Sequence, residues 1–181
     1  HYRAKKENCK IIRNKDIFLC DSGGQYKYGT TDVTRTICFS KPNNNIKNIF
    51  TNVLKGHIAV ATTNIKKDNI GKKIDLRARK FLKLNNLDYE HGTGHGVGFF
   101  LNVHDCPQSI YKMNKVKIKE GMILSNEPGY YKKDRFGIRI ENLVYVSKIK
   151  NKLFFENLTL APIEKELINF NLLSSLEKKY L

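Results

Sequence analysis

Two short apolar runs near the start of the chain are separated by a polar stretch that contains glycine. The first covers residues 17–20, ends at Asp21 and is followed by Gly23 and Gly24, which break it. The second, residues 33–39, is rich in β-branched side chains. Short β-branched runs bounded by turn residues are typical of paired strands. The pattern therefore predicts a hairpin-like pair of strands.

Helical periodicity follows directly after this pair. Apolar side chains recur every three or four residues over 46–61, and again, more briefly, over 74–82. This spacing places them on one face of an amphipathic helix. Two consecutive helices are therefore predicted.

The second half of the chain returns to strand patterns. Residues 122–126, 137–147 and 153–160 are predicted strands. Residues 164–181 carry apolar side chains at near-helical spacing, which suggest a docking or dimer element. Between helices and strands, residues 91–98 contain four glycines, which favours an extended segment over a helix. The coarse pattern thus alternates strands and helices, with no long linker and no internal repeat.

Length and charge limit the classes of function. The chain has 181 residues, enough for one domain and a short appendage, and a formal net charge of +16. Of its 33 basic residues 26 are Lys and 7 are Arg, dispersed in pairs, whereas base and phosphate recognition favours Arg. A solvated basic surface is therefore favoured over a nucleic-acid interface. We also expect no membrane partner, because no apolar run approaches the ~18 residues of a membrane span.

The first residue and the cysteines indicate what kind of protein and compartment the chain comes from. The chain starts at His1 rather than Met, so we expect it to be part of a longer protein. Its four cysteines form no C-x-x-C pair, which favours free, packed thiols in a reducing compartment.

Four carboxylates occupy positions that usually carry apolar side chains. Asp21, Asp32, Glu127 and Glu141 end or interrupt apolar strands. Each alone is most simply a surface-facing residue of an alternating strand. An unpaired buried carboxylate costs several kcal/mol, so such acids face water, pair with a cation or bind a metal. The four together, with a histidine nearby, favour a metal site.

The histidine comes from the glycine-rich segment, where His91 and His95 lie four residues apart. For His91 alone, a packed core histidine is an equally good interpretation. Carboxylates with one imidazole suit Mn²⁺, Co²⁺, Zn²⁺ or Fe²⁺. Four negative charges exceed what one divalent ion balances, so two ions that activate a water are predicted, which is hydrolase chemistry.

These motifs resemble the aminopeptidase P enzymes of the pita-bread (creatinase/methionine aminopeptidase-like) family, and most closely their eukaryotic cytosolic form. The likeness covers nearly the whole chain. The matching motifs include Asp21-Ser22-Gly23-Gly24, Thr31-Asp32-Val33-Thr34-Arg35-Thr36, His91-Gly92-Thr93-Gly94-His95, Glu127-Pro128-Gly129-Tyr130-Tyr131, Gly137-Ile138-Arg139-Ile140-Glu141-Asn142 and Asn157-Leu158-Thr159.

The resemblance implies an α+β, pita-bread fold, which is a curved antiparallel sheet flanked by helices, incomplete at its N-terminal side. It divides the chain into a catalytic domain at 1–150 and a C-terminal extension at 151–181, which is a possible dimer element. The missing N-terminal part of the same chain, peptide substrates and a second copy in a homodimer are the expected partners, and the cytoplasm is the expected location.

Residue by residue, the resemblance implies the following roles. Asp21 holds one metal ion, Asp32 and Glu141 bridge both ions, and His95 and Glu127 complete the second site. Catalysis involves Glu127, His104 and His91, and substrate contacts come from His1, His91, His104, Tyr131 and Arg139. The implied cofactors are two divalent ions, with Mn²⁺ preferred over Co²⁺ or Zn²⁺.

The implied activity is release of the N-terminal residue from peptides with proline in second position, by attack of a metal-bridging hydroxide. Alternatives are a prolidase, a methionine aminopeptidase, or a non-catalytic peptide- or protein-binding module of the same fold. Three positions depart from the family pattern, namely Tyr28, Asn126 and the segment Asp105-Cys106-Pro107. None of them is an expected metal ligand, so they bear on rate or specificity.

Overall fold

The computed structural model describes residues 5–7, 9–100 and 102–181, and it begins its regular structure with a long hairpin. Strands β1 (Ile17–Tyr26) and β2 (Gly29–Cys38) pair antiparallel along their whole length. The prediction that glycines end β1 is wrong, because Gly23 pairs with Asp32 inside the ladder. A Cβ at Gly23 would lie 2.7 Å from the Thr31 carbonyl oxygen, so this glycine permits a close approach instead of a break.

Both predicted helices are confirmed. Helix α1 (Asn44–Ala61) begins where the Asn43 side chain accepts a hydrogen bond from the backbone N–H of Ile46, a standard N-cap. Helix α2 (Gly71–Lys83) packs against α1. At their crossing a Cβ on Gly56 would lie 2.3 Å from the Ala78 carbonyl oxygen, so the helices approach closely at this point.

The described part of the chain contains seven further strands. They are β3 (Gly94–Gly96), β4 (Asp105–Ile110), β5 (Ile123–Asn126), β6 (Gly129–Lys132), β7 (Phe136–Arg139), β8 (Asn142–Ile149) and β9 (Lys152–Asn157). Five of them form an antiparallel sheet in the order β4-β3-β5-β8-β9, and β6 pairs with β7. The extended conformation expected in the glycine-rich segment is confirmed at β3.

The single strand predicted over 137–147 is wrong, since it is interrupted at Ile140 and Glu141. The Ile140 backbone N–H donates to the Pro128 carbonyl, and that of Glu141 donates to the Thr34 carbonyl on β2. These long-range bonds take the place of a strand ladder. The break brings Glu141 beside the hairpin.

The near-helical spacing of the tail is not one continuous helix, because the tail forms two 3₁₀ turns, Lys165–Leu167 and Phe170–Leu172, and a short helix α3 (Ser175–Tyr180). Side chains of Asn169 and Ser174 accept hydrogen bonds from nearby backbone N–H groups and start new elements there. The last predicted strand likewise ends at Asn157 instead of residue 160.

Two apolar clusters hold these elements together. One joins α1 to the β6–β7 pair and the tail, with Leu54, Ile138, Ile140 and Leu167 inside it. The other lies between the two helices and the five-stranded sheet. Among the described residues, no helix combines the length and the apolar character needed to cross a membrane.

The cysteines are free, but the expectation that they pack in the interior is wrong for three of them. Cys9, Cys20 and Cys106 are exposed and only Cys38 is half-buried. Cys106 lies at the exposed start of β4, and Cys20 lies in an exposed stretch of β1.

Candidate active site

The hairpin places two of the predicted acids on one face. Asp32 lies opposite Gly23, and Asp21 lies opposite Thr34. Directly opposed residues of an antiparallel pair point to the same side, and so do residues two apart along a strand. Asp21, Asp32 and Thr34 therefore share the face that looks toward β3 and the β7–β8 junction.

The centre of the site is a compact group of Asp32, His95 and Glu141, whose ligand atoms all lie within 4.8 Å of one another. His95 Nε2 lies 3.4 Å from Asp32 Oδ2 and 3.3 Å from Glu127 Oε1. The hairpin, β3 and the end of β5 thus converge, and four of the five predicted ligands meet there.

The ring of His95 is oriented by its own backbone. Nδ1 lies 3.0 Å from the Gly96 carbonyl oxygen, which can only accept, so Nδ1 carries a proton and Nε2 faces the carboxylates. Burial disfavours the charged ring, but Asp32, the Gly96 carbonyl and Glu127 outweigh it and raise the pKa of His95. A histidine that binds a metal typically donates its other N–H to such a carbonyl.

The carboxylates crowd one another. Glu141 is 2% exposed, and burial, followed by the negative charges of Glu127 and Asp32, raises its pKa to about 8. Burial also raises the pKa of Glu127. Carboxylates assembled in this way need a cation to balance them. Oxygen donors with one imidazole fit divalent ions of the Mn²⁺ to Zn²⁺ class, so the residues present fit a metal centre.

Asp21 is the one predicted ligand that lies apart from this group. Its side chain is half exposed, and its Oδ2 accepts a hydrogen bond from Arg139 Nη2. It remains on the hairpin face that carries Asp32, so it borders the cluster without belonging to it.

A chain of hydrogen bonds links three of the predicted substrate-contact residues. Arg139 Nη1 donates to the Tyr131 hydroxyl over 2.9 Å, and that hydroxyl lies 2.8 Å from His91 Nε2. His91 Nδ1 lies 2.7 Å from the Gly92 carbonyl oxygen and must donate to it, so in the neutral ring Nε2 accepts the Tyr131 proton. Burial lowers the pKa of His91, which favours this neutral form.

The remaining predicted histidines differ in position. His104 is exposed, and its ring lies 4.0 Å, centroid to centroid, from that of His95. Burial and the neighbouring charge of His95 lower the pKa of His104. His1 lies outside the described residues.

Two buried hydroxyls in the site were not predicted. Ser125 Oγ accepts from the His95 backbone N–H at 2.9 Å and donates to Glu127 Oε1 at 2.8 Å. Thr34 Oγ1 accepts from Arg139 Nε at 3.0 Å and donates to Glu141 Oε2 at 2.6 Å. Each hydroxyl has only one proton. Because its oxygen already accepts a hydrogen bond from an N–H group, that proton is donated to the carboxylate.

The sequence offered one weak signal for these hydroxyls. Thr34 lies two residues after Asp32, and Ser125 lies two residues before Glu127, so each shares a strand face with an acid.

Sequence reasoning also missed a buried ion pair beneath His91. Arg79 Nε lies 2.8 Å from Asp75 Oδ2, and both side chains are almost completely buried. Arg79 also donates to the carbonyl oxygens of Tyr89 and His91, and Thr93 donates to Asp75 Oδ1 at 2.6 Å. The pair fixes helix α2 to the segment that carries His91.

The chain is similar in sequence to known proteins. The family model "Metallopeptidase family M24" matches residues 1–148. Probable Xaa-Pro aminopeptidases P of Laccaria bicolor and Coprinopsis cinerea are 47% and 46% identical over 192 aligned residues. Each alignment covers 100% of this chain and 30% and 31%, respectively, of the relative. The chain therefore spans about 30% of the length of these curated relatives.

Solved structures show the same fold as this chain. X-prolyl aminopeptidase from Caenorhabditis elegans, described as a cytosolic enzyme with a di-nuclear active site, superposes with a TM-score of 0.92 at 37% identity over 99% of this chain and 31% of its own. Prolidase from Pyrococcus furiosus gives a TM-score of 0.75 at 28% identity, over 84% of this chain and 44% of its own. The chain thus has the α+β, pita-bread fold and belongs to metallopeptidase family M24, as a segment resembling the aminopeptidase P enzymes.

Proposed function

We propose that the protein containing this chain is a dinuclear metal-dependent aminopeptidase that releases the N-terminal residue from peptides with proline in second position. The observation that carries the proposal is the convergence of Asp32, His95 and Glu141 within 4.8 Å, with Glu127 beside them. The relatives named Xaa-Pro aminopeptidase support the substrate class.

In this proposal Asp21 holds one ion, Asp32 and Glu141 contact both, and His95 and Glu127 complete the other site. When bound, two such ions supply an activated water as nucleophile and Lewis-acid stabilisation of the carbonyl oxygen. We propose Mn²⁺ as the native metal, with Co²⁺ or Zn²⁺ as substitutes. To bind the ion, the Asp21 carboxylate would give up part of its hydrogen bonding with Arg139.

The protein's own groups handle protons and orientation. Glu127, held by the Ser125 hydroxyl, accepts the proton of the attacking water. The nitrogen of an Xaa-Pro bond leaves as a secondary amine and must gain a proton. His104 is proposed to assist that transfer, and its exposed position beside His95 supports this role.

Substrate contacts come from the chain of His91, Tyr131 and Arg139. Because Arg139 donates to the Tyr131 hydroxyl, the hydroxyl proton points to His91 Nε2, and the three side chains present a fixed polar wall to the peptide. His1 is proposed as a further substrate contact.

A peptide panel tests the proposal. The full-length protein loaded with Mn²⁺ is given an Xaa-Pro-Pro tripeptide, an Xaa-Pro dipeptide and a Met-initiated peptide, with a chelated control. Release of Xaa from the tripeptide that stops on chelation is expected. Cleavage of the dipeptide alone would indicate a prolidase, and cleavage of the Met-initiated peptide alone a methionine aminopeptidase. No cleavage with metal bound would indicate a peptide-binding module.

A variant pair ties the activity to the site. Glu141→Ala is expected to abolish release and to lose bound metal, because it removes the carboxylate proposed to contact both ions. Glu156→Ala, which removes an exposed carboxylate on β9, is the matched control and should keep both. An active, metal-loaded Glu141→Ala protein would contradict the ligand assignment.

We also propose a cytoplasmic homodimer that uses the C-terminal extension. In the tail, Leu160 and Leu176 are 91% and 82% exposed, and burial of such side chains favours association. Light scattering on the full-length protein, and microscopy of a tagged copy, test the assembly and the location.

A further inference from the structure

Arg35, which follows Thr34 on β2, has an acceptor for each of its five N–H donors. Nε donates to the Pro162 carbonyl at 2.9 Å, and Nη2 donates to the Ala161 carbonyl at 2.7 Å and to Asn142 Oδ1 at 2.8 Å. Nη1 donates to the carbonyls of Thr34 and Glu141. One guanidinium thus joins the C-terminal extension to the backbone of a proposed metal ligand.

Glu141 needs such a partner because it lies in the break between β7 and β8. Its N–H donates to the Thr34 carbonyl at 3.1 Å, but its own carbonyl lies outside the strand ladder and accepts from Arg35. A buried carbonyl that loses its donor costs about 1–3 kcal/mol. Arg35 therefore sets the orientation of the peptide that follows Glu141.

The extension holds the other side of Arg35. It runs beside the start of β8, where the Leu158 N–H donates to the Leu143 carbonyl and the Leu143 N–H donates to Thr159 Oγ1, both at 2.9 Å. These bonds bring the Ala161 and Pro162 carbonyls to the guanidinium. The extension and the residues after Glu141 are thus restrained by the same contacts.

We infer that residues 158–162, acting through Arg35, form a positioning element that holds Glu141 in its metal-binding orientation. The extension then contributes to the site of each chain, independently of any role in a dimer. The inference rests on the proposed function only in that Glu141 is taken as a metal ligand.

Hydrogen exchange on the metal-free full-length protein tests the physical link. Arg35→Lys keeps the charge but cannot supply five directed donors. We expect amide exchange to accelerate about tenfold or more both at 141–143 and at 158–160. Arg135→Lys, an exposed residue just before β7, is the matched control and should change neither segment. Thr159→Ala, which acts from the extension, should accelerate exchange at 141–143 as well.

Metal affinity tests the positioning role. We expect the Mn²⁺ dissociation constant to rise about 10- to 100-fold in Arg35→Lys and to stay unchanged in Arg135→Lys. Unchanged exchange at 141–143 would overturn the inference, and so would faster exchange with wild-type Mn²⁺ affinity. A wild-type protein that bound none of Mn²⁺, Co²⁺ and Zn²⁺ would refute the proposed function, and the exchange comparison would still decide whether the extension restrains Glu141.

Discussion

At the scale of single residues, the Tyr131 hydroxyl is a junction in the site. The hydroxyl accepts from Arg139 and donates to His91. It therefore links His91 to Arg139, which itself contacts Asp21 and lies 3.9 Å from Glu127. Because the proton of Tyr131 points to Nε2, the His91 ring is a neutral hydrogen-bond acceptor on this side. We therefore expect Tyr131 to position groups without binding metal.

Tyr131→Phe tests this role. Loss of one hydrogen-bonding hydroxyl costs about 1–1.5 kcal/mol, so kcat/KM for an Xaa-Pro-Pro peptide should fall about tenfold. The bound metal should stay at the wild-type amount, measured by elemental analysis. Tyr130→Phe, a change of the same size at the neighbouring position, should leave both quantities unchanged. A loss of metal in Tyr131→Phe would contradict the positioning role.

The acids of the site could be predicted because each stands at an unusual place. A carboxylate that ends an apolar run, as Glu127 does, is visible without knowing its neighbours. Ser125 and Thr34 could not be recognised in this way. A serine or threonine in a strand is ordinary, and its role depends on which carboxylate and which N–H the fold brings to it.

At the scale of elements, helix α2 supports the site from below. Arg79 and Asp75 are charged and buried, and Arg79 holds the backbone carbonyl of His91. The Thr93 carbonyl also accepts from the Glu127 N–H at 2.8 Å, so the segment that carries His91 also contacts the backbone of Glu127. A helix that looks merely amphipathic in sequence thus fixes the glycine-rich segment.

Arg79→Ala should destabilise this region by about 3–5 kcal/mol, because it leaves Asp75 buried without its partner. Native-state hydrogen exchange over residues 88–95 measures the loss. Arg77→Ala on the same helix removes one partner of an exposed pair, in which Arg77 Nη1 lies 3.0 Å from Asp68 Oδ2. That change should cost about 1 kcal/mol or less. Equal effects of the two substitutions would contradict the proposed support.

His57 on helix α1 should make the stability of the folded protein depend on pH. This side chain is completely buried, its Nδ1 lies 3.1 Å from the Asn126 carbonyl oxygen, and burial lowers its pKa from 6.5 to about 4. The unfolded chain binds a proton below pH 6.5 that the folded chain refuses until pH 4, so stability falls as the pH drops through this window.

Between pH 7 and pH 5 the loss due to His57 is about 2 kcal/mol. Hydrogen exchange of the α1 amides at both pH values measures it. In His57→Gln this part of the pH dependence should disappear. An identical pH dependence in both proteins would show that His57 takes up its proton in the folded state as readily as in the unfolded chain.

The element pattern was predictable where local periodicity decides it. Helices α1 and α2 follow from their apolar spacing. The continuation of β1 through Gly23 was not predictable, because it depends on pairing with Asp32 across the hairpin. The break at Glu141 was not predictable for the same reason. The Glu141 N–H bonds to Thr34 on β2, which is more than 100 residues away in the sequence.

At the scale of the whole molecule, the site is assembled from four separate segments of the chain. The hairpin brings Asp21 and Asp32, β3 brings His95, and the regions after β5 and β7 bring Glu127 and Glu141. No local pattern places these segments together. The unusually placed acids suggested a common metal site, and the family resemblance assigned roles to them through motifs spread over nearly the entire chain. The match to family M24 over residues 1–148 confirms that resemblance.

The metal content of the full-length protein decides whether the site is dinuclear. After loading with Mn²⁺ and removal of free ions, elemental analysis should find two ions per chain in the wild type and in Glu156→Ala, because the five proposed ligands suit a dinuclear site. Glu141→Ala should lose them. A wild type that retained one ion or none, or a Glu141→Ala variant that retained two, would contradict the account.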